Sequence, residues 1–313
     1  MVNSYDVITF GSATWDIYLS PTNFCIIPSD KFISGKAVAF NLGSKVNLEH
    51  TQFSLGGGGV NTAFTFKNQG FKVAYLGCLG NDSLGREIIA RLKKNKIGTK
   101  LIQTTLKAST NCSIVFNIEG EDRTIMVYRG ASEYLSKINF KKAKWYYLAP
   151  LSGKIANLTQ DIIDYAHKKN IQIAFNPGNS QLNLSKEVLQ KMINKTNVLI
   201  LNQEEAAILT ENNFNDEDKI IEDLKKIHKR ITVMTKGEKG VVVLDKGKIY
   251  SRDALPTKVI DKTGAGDAFG AGFVSSLIKD SNIKKAIELG VKNSASCITK
   301  QGATNGLLTK DNL

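Results

Sequence analysis

The amino-acid sequence predicts an α/β protein in which a central, mainly parallel sheet is flanked by helices and accompanied by a small second β-sheet. Three observations lead there. Beyond residue 140, strand-length apolar segments alternate strictly with amphipathic helical ones, the order of βαβ units whose parallel sheet is covered on both faces. From residue 15 to 55 the pattern changes to short alternating pieces broken by Pro21, Pro28, Gly35 and Gly43, without helical periodicity. The segments NCSIVFNI and RTIMVYRG are again strand-like, with no helix between them, and return to this β excursion. No repeat or low-complexity linker divides the chain, so one domain over residues 1–313 is expected, with a lid formed by about 12–55 and 108–130.

In chain order, YDVITFGS is a short buried strand that turns at Gly11, and GGGGVNTAFTFKNQGF starts a helix after its glycines. KVAYLGCLG is a strand. NDSLGREIIARLKKNKIG is a helix whose Leu84, Ile88, Ile89 and Leu92 share a face, with lysines in the last turn and Gly98 as a stop. The segments WYYL, IQIAFNP, NVLILN and RITVMTKG are strands, with one helix in each interval; the first of these covers about 154 to 169. GVVVLDKGKIYSRD predicts a hairpin around Asp245 to Lys248. Two helices close the chain, one starting in DKTGAGDAFGAGF and one running through IKKAIELGVKNSASCITKQG.

The composition, 42% hydrophobic and 23% charged over 313 residues, is ordinary for a globular protein with a large core. Lys and Arg outnumber Asp and Glu by 42 to 29, a net charge of +13. The lysines are scattered along amphipathic stretches such as IIARLKKNKIGTK, with no arginine-rich tract or interleaved aromatics, so a nucleic-acid partner is not expected. A phosphorylated small molecule would suit the positive field. The four cysteines form no CxxC pair and the three histidines have no ligand spacing, so neither a disulfide framework nor a structural zinc site is expected. No leader-like N-terminus is present and no apolar run approaches the ~18 residues that span a bilayer, so a cytoplasmic protein without membrane contact is expected.

In open parallel sheets ligands collect where strands end and helices begin, and DKTGAGDAFGAGF lies at such a place. Gly264, Ala265 and Gly266 would let backbone N–H groups converge without interference from larger side chains, and the following helix adds positive potential, so the spot suits a phosphoryl group. Asp267, expected to be ionised beside a helix N-terminus, would accept a proton from an attacking hydroxyl. A close-packing role for Gly-Ala-Gly with Asp267 as a first-turn acid is the competing reading. Neither a GxxxxGK[ST] string nor a GxGxxG at the first strand is present.

Two motifs, GGGGVNTAFTFKNQGFKVAYLGCLGNDSLGREI near the start and DKTGAGDAFGAGF near the end, are together specific, and on them the chain resembles the PfkB, or ribokinase-like, carbohydrate kinases over almost its whole length. The resemblance implies transfer of the γ-phosphoryl group of ATP to a hydroxymethyl group, a ribokinase-like α/β domain, and a small β-sheet lid over the acceptor. By position it implies that Asp267 is the catalytic base and Gly264, Ala265 and Gly266 the anion hole. Asp16, in GSATWDIYL, matches the acid that grips sugar hydroxyls, and Gly56, Gly57 and Asn61 match substrate contacts. Asn202 and Glu205, in NQEEA, match an N-x-x-E that organises phosphates and Mg2+ through water, although the same pair at a strand-to-helix junction is also a helix cap. Thr235, Gly237 and Gly240 fall near the nucleotide, Asn293 and Gly302 where the family holds adenine, and Asp261 and Thr263 where some members hold a monovalent cation such as K+.

Departures are also present. Thr14 stands where ribokinases carry an asparagine, the run from Asp16 to Gly56 is longer than in compact members, and Lys262 replaces a small side chain, usually Thr. EDRTIMVYRGAS, with Arg123 and Arg129, looks more like the lid strands of sugar kinases than of adenosine kinases. A sugar kinase, a nucleoside kinase of the same superfamily and a nucleotide-binding regulator without catalysis all remain open, and a lid edge left exposed would favour a homodimer.

Overall fold

The computed structural model describes residues 4–32, 35–116, 118, 124–135, 138–151 and 153–312, so Arg123 lies outside the described residues. The chain opens with β1 (Tyr5–Phe10), then leaves for β2 (Thr14–Pro21), the hairpin β3 (Cys25–Pro28) and β4 (Lys36–Ala39), and β5 (Leu48–Gly56). Helix α1 (Gly58–Asn68) returns to β6 (Val73–Leu76). The expected single strand KVAYLGCLG breaks at Gly77, because β7 (Cys78–Gly80) leaves β6 and pairs with β8 (Gln103–Thr105) across α2 (Ser83–Lys94). Two further strands follow, β9 (Asn111–Phe116) and β10 (Thr124–Tyr128).

From β11 (Ala143–Leu148) the alternation runs as expected, with local differences. A 3-10 turn over Gly153–Leu158 precedes α3 (Thr159–Lys168), which leads to β12 (Gln172–Phe175). The next helix is two pieces, α4 (Asn179–Leu182) and α5 (Lys186–Asn194), before β13 (Val198–Asn202). The one after it also divides, into α6 (Gln203–Thr210) and α7 (Glu217–Ile227). The break follows from Glu211, which ends α6 in the left-handed region at φ 55°, and from Asp216, whose side chain accepts from the N–H of Lys219 to start a new helix. Strand β14 (Ile231–Thr235), the hairpin β15 (Val241–Asp245) and β16 (Lys248–Arg252), and helices α8 (Ala265–Asp280) and α9 (Ile283–Cys297) complete the chain.

Among the described residues the large sheet has eight strands in the order β16-β15-β14-β13-β12-β11-β1-β6, parallel from β6 to β14 and antiparallel at the final hairpin. Its strands place neighbouring residues on opposite faces. Val7, Tyr75 and Tyr147 meet α1, α2, α8 and α9 through Phe66, Ile88 and Phe273, whereas Ile8, Tyr146 and Phe175 meet α3, α5 and α7 through Ile162, Leu189 and Leu224. Each such buried side chain contributes roughly 1.5–3 kcal/mol, which makes this sheet a rigid platform. The chain leaves β1 toward β6 on one side and reaches β11 on the other, so the sheet has its switch point between β1 and β11.

The smaller sheet has the order β10-β9-β2-β5. Its register aligns Asp16 with Ser54 on one side and Ser113 on the other, and Thr14 with Gly56 and Asn111. Because residues opposed in a ladder share a face, these polar groups form a patch on one side of the sheet. Asp82 ties the sheet to α2: Oδ1 accepts from the N–H of Gly85 (2.8 Å) and from Thr110 Oγ1 (2.8 Å), and Oδ2 from the N–H of Thr110 (2.7 Å).

Candidate active site

The start of α8 is the structural centre of the site. Asp261 fixes the approach: its Oδ1 accepts from the N–H (2.9 Å) and Oγ1 (2.6 Å) of Thr263, and its Oδ2 from the N–H of Gly302 (2.9 Å). Burial would raise its pKa, but these bonds hold it below the usual carboxylate range. Gly264 then caps the helix at φ 79°, a left-handed conformation a β-carbon resists, and a β-carbon there would also overlap that of Ala303. Of the three amides expected to form an anion cradle, that of Ala265 turns onto the carbonyl of Lys262 (3.3 Å). The first-turn N–H groups of Gly266 and Asp267 have no acceptor within the helix, and the space over Gly266 is open.

Asp267 sits on the side of α8 that faces α1. Its Oδ2 accepts from Asn61 Nδ2 at 2.8 Å. The carboxyl is half-buried, and burial pushes its pKa up, with the Asn61 bond opposing the rise. Loss of water around the carboxyl thus works against the favourable helix dipole expected from its place in the first turn. Asn61 is buried, and its Oδ1 has no hydrogen-bond partner. The switch point brings these elements together: a β-carbon at Gly58 would crowd both Ala149, just past β11, and Asp267 Oδ1.

Asp16 lies on the neighbouring face of the small sheet, 5% exposed, with its Oδ1 accepting from Ser113 Oγ at 2.5 Å. A β-carbon at Gly56 would overlap its Oδ2, so glycine is required for this approach. Burial raises the Asp16 pKa; the Ser113 bond lowers it and the nearby charge of Asp261 adds to the rise. Gly57 carries φ 90° and starts α1, which places Asn61 one turn on. Asp16, Gly56, Asn61 and Asp267 are thus drawn into one region from segments more than 200 residues apart.

On the other side of the α8 terminus lies a groove of about 900 Å³. It is lined by Thr235, Gly237 and Gly240, by Ala265 and Gly266 at the α8 start, and by an apolar set of Val291 and Ala295 of α9 with Ile298 just past its end. Asn293 does not reach it. Its side chain is fully buried, donates to the carbonyl of Ala268 (2.7 Å), and accepts from the N–H of Leu308 (2.9 Å). At about 100° per residue, position 293 faces away from 291 and 295. Gly302 does not line the groove either; its N–H serves Asp261. The α9 face at 291, 294, 295 and 298 was legible as a helical stripe in VKNSASCI but carries no chemical signature.

Asn202 and Glu205 form a reciprocal helix cap: Asn202 Oδ1 accepts from the N–H of Glu205 (2.8 Å), and Glu205 Oε2 from the N–H of Asn202 (2.8 Å). Burial raises the Glu205 pKa, bonds from Asn202 and Asn176 lower it, and the charges of Glu204 and Asp267 raise it further. Asn176, which sequence reasoning missed, directly follows β12 and donates to the Ile200 carbonyl at 3.0 Å and toward Glu205 at 3.5 Å. Its only sequence signal is its place before Pro177 and Gly178 after a strand. A separate cavity of about 310 Å³ between α5, α6 and α7 contains charged groups paired among themselves, Lys186 with Glu211 and Lys226 with Asp223.

The family model for pfkB family carbohydrate kinases matches residues 23–310. The chain belongs to the pfkB family. Its members are phosphotransferases with an alcohol group as acceptor, and this chain is an enzyme of that class. This pfkB kinase is 28% identical over 281 residues to a ribokinase of Haemophilus influenzae, covering 86% of this chain and 89% of that one. Its fold is similar to a nucleoside kinase of Methanocaldococcus jannaschii (TM-score 0.80, 23% identity, 98% and 96% of the two chains). It is also similar to an Arabidopsis thaliana ribokinase complexed with ribose and ATP (TM-score 0.81, 18% identity, 99% and 97%). At these identities the structural likeness shows the ribokinase fold alone.

Proposed function

We propose that the protein transfers the γ-phosphoryl group of ATP to the hydroxymethyl group of a monosaccharide. The observation that carries this reading is the Asn61–Asp267 pair, in which the amide donates to the carboxylate while its own buried carbonyl oxygen is left without a donor. A substrate hydroxyl fits that arrangement. Asp267 accepts the hydroxyl proton as the oxygen bonds to the γ-phosphorus and the bond to the β-phosphate bridging oxygen breaks, releasing ADP. The N-terminal amides of α8, from Gly264, Gly266 and Asp267, hold the charge of the group in transit.

The acceptor is read as a sugar because Asp16 is flanked by Ser54 and Ser113 on one sheet face, a row of oxygen acceptors and donors suited to vicinal hydroxyls, with Gly56 and Gly57 allowing close backbone approach. Thr235, Gly237 and Gly240 with the α9 floor would hold the nucleotide. Glu205, through water, with Asn202 beside it, would hold Mg2+, whose chemistry is charge compensation of the phosphates. The donor set fits, since Glu205 is a partly buried carboxylate that keeps one oxygen, Oε1, outside the bonds from Asn202 and Asn176, both of which go to Oε2. A K+ ion at Asp261 and Thr263 would share a carboxylate that already accepts from Thr263 and Gly302.

The test is ATP consumption by purified protein against a panel of sugars and nucleosides, repeated with chelator and with potassium replaced by a larger cation. Turnover highest on a sugar is expected. A nucleoside preferred over every sugar replaces the acceptor assignment, and no turnover on any acceptor with ATP still bound favours a regulator. A homodimer through the small sheet belongs to the same reading, supported by exposed Ile125, Met126, Val127 and Tyr128 on the edge strand β10. Sedimentation as a monomer at micromolar concentration removes it.

A further inference from the structure

We propose that Lys262 is a phosphate-binding residue of the nucleotide site, and that Glu238 competes with the nucleotide for its ammonium group. The inference rests on the groove being the nucleotide site, as read above.

Lys262 and Glu238 both line the 900 Å³ groove. Lys262 precedes the α8 terminus and Glu238 lies in the turn Gly237–Lys239 after β14. Their side chains meet at 3.1 Å between Nζ and Oε1. Both are well exposed, 63% and 86%, and joined by one hydrogen bond, so the pair is screened, entropically costly to hold and easily exchanged. Another lysine of the groove is committed elsewhere: Lys236 Nζ sits 2.7 Å from Glu217 on α7, with its side chain 13% exposed.

The backbone under Lys262 is fixed. Its carbonyl accepts from Ala265, and the next residue, Thr263, is held by Asp261. The long flexible stem therefore springs from an anchored point two residues before Gly264, beside the first-turn amides of Gly266 and Asp267. Those amides carry only partial charge, and no P-loop lysine exists in this chain to add a full one. A triphosphate offers the ammonium several anionic oxygens where Glu238 offers one carboxylate. Exchange of Lys262 from Glu238 to phosphate would follow from charge alone.

The two residues then have opposite effects on nucleotide affinity, which distinguishes this role from a clasp that merely braces the groove walls. Isothermal titration of ATP, ADP and adenosine into the full chain measures it. Lys262→Ala is expected to weaken ATP about tenfold, ADP less and adenosine not at all, as loss of one charge-assisted hydrogen bond predicts. Lys262→Arg should restore most of the loss, and Glu238→Gln should tighten ATP several-fold while leaving adenosine unchanged. Unaltered ATP affinity in Lys262→Ala, or equal weakening by Lys262→Ala and Glu238→Gln, overturns the proposal while leaving the nucleotide site in place. Failure of the unsubstituted protein to bind either ATP or ADP overturns both. Because both side chains are exposed, melting temperatures close to the unsubstituted protein's should accompany every variant.

Discussion

The two sides of the α8 N-terminus are built on different principles. Toward α1 and the small sheet, Asp16, Asn61, Ser113 and Asp267 come from distant segments, are wholly or partly buried, and meet in two hydrogen-bonded pairs, Asn61 with Asp267 and Ser113 with Asp16. Toward the groove, residues 235–241, separate residues between 254 and 266, and the stripe Val291, Ser294, Ala295 and Ile298 line a cleft with an apolar floor, backbone amides and the exposed Lys262–Glu238 pair. The first arrangement concentrates poorly solvated carboxylates, which suits proton acceptance and discrimination among hydroxyl patterns. The second offers shape and screened charge, so single side chains are expected to matter less there.

The largest test of this contrast is Asp267→Asn. It is expected to lower kcat roughly 10²–10⁴-fold while ADP affinity measured by titration stays the same. Turnover close to that of the unsubstituted enzyme would remove Asp267 as the base and dissolve the chemical side of the comparison.

A smaller effect is expected from Asp16→Ala, which removes a buried acceptor of charge-assisted bonds worth about 1.5–3 kcal/mol each. The KM for the sugar should rise about 10–100-fold with the KM for ATP almost unchanged. If both rise together, the small sheet is supporting the whole site, and the division between its two sides does not hold.

The smallest effect is on stability. A carboxyl whose pKa is raised by burial binds more protons in the folded than in the unfolded chain, so its ionisation costs stability as pH climbs through the raised value. Asp267→Asn keeps an acceptor for Asn61 and removes that cost. Its melting temperature should exceed the unsubstituted protein's by a few degrees, about 2–4 °C, at neutral pH, with the gain shrinking as pH falls toward the ordinary carboxylate range. A variant that melts lower at neutral pH would show that the ionised carboxylate is stabilised where it stands, and that the two sides do not differ in desolvation.

Where chemistry depended on neighbours in sequence, the reading from residues held closely. Strand β1, the βαβ alternation after residue 140 and the glycine-led starts of α1 and α8 all follow from local apolar period and backbone freedom. The reciprocal cap of Asn202 and Glu205 was legible for the same reason, being a bond between residues three apart. That Asn293 turns away from the groove was not legible, because its segment marks a helix without saying which face meets the core. Its place against Ala268 and Leu308 comes from how α9 packs on α8.

By itself, the sequence determined the layered α/β plan, the order of its elements and the pairing of a glycine-led helix start with Asp267, because these depend on periodicity and on interactions within a few residues. Only the tertiary structure decided that Asn61 reaches Asp267 and leaves an acceptor unmet, that Ser113 and Gly56 hold Asp16, and that Lys262 meets Glu238 at the groove. Those relations depend on strand register, helix packing and loss of water around particular carboxylates, and each is set by contacts between segments whose separation along the chain carries no record of their distance in space.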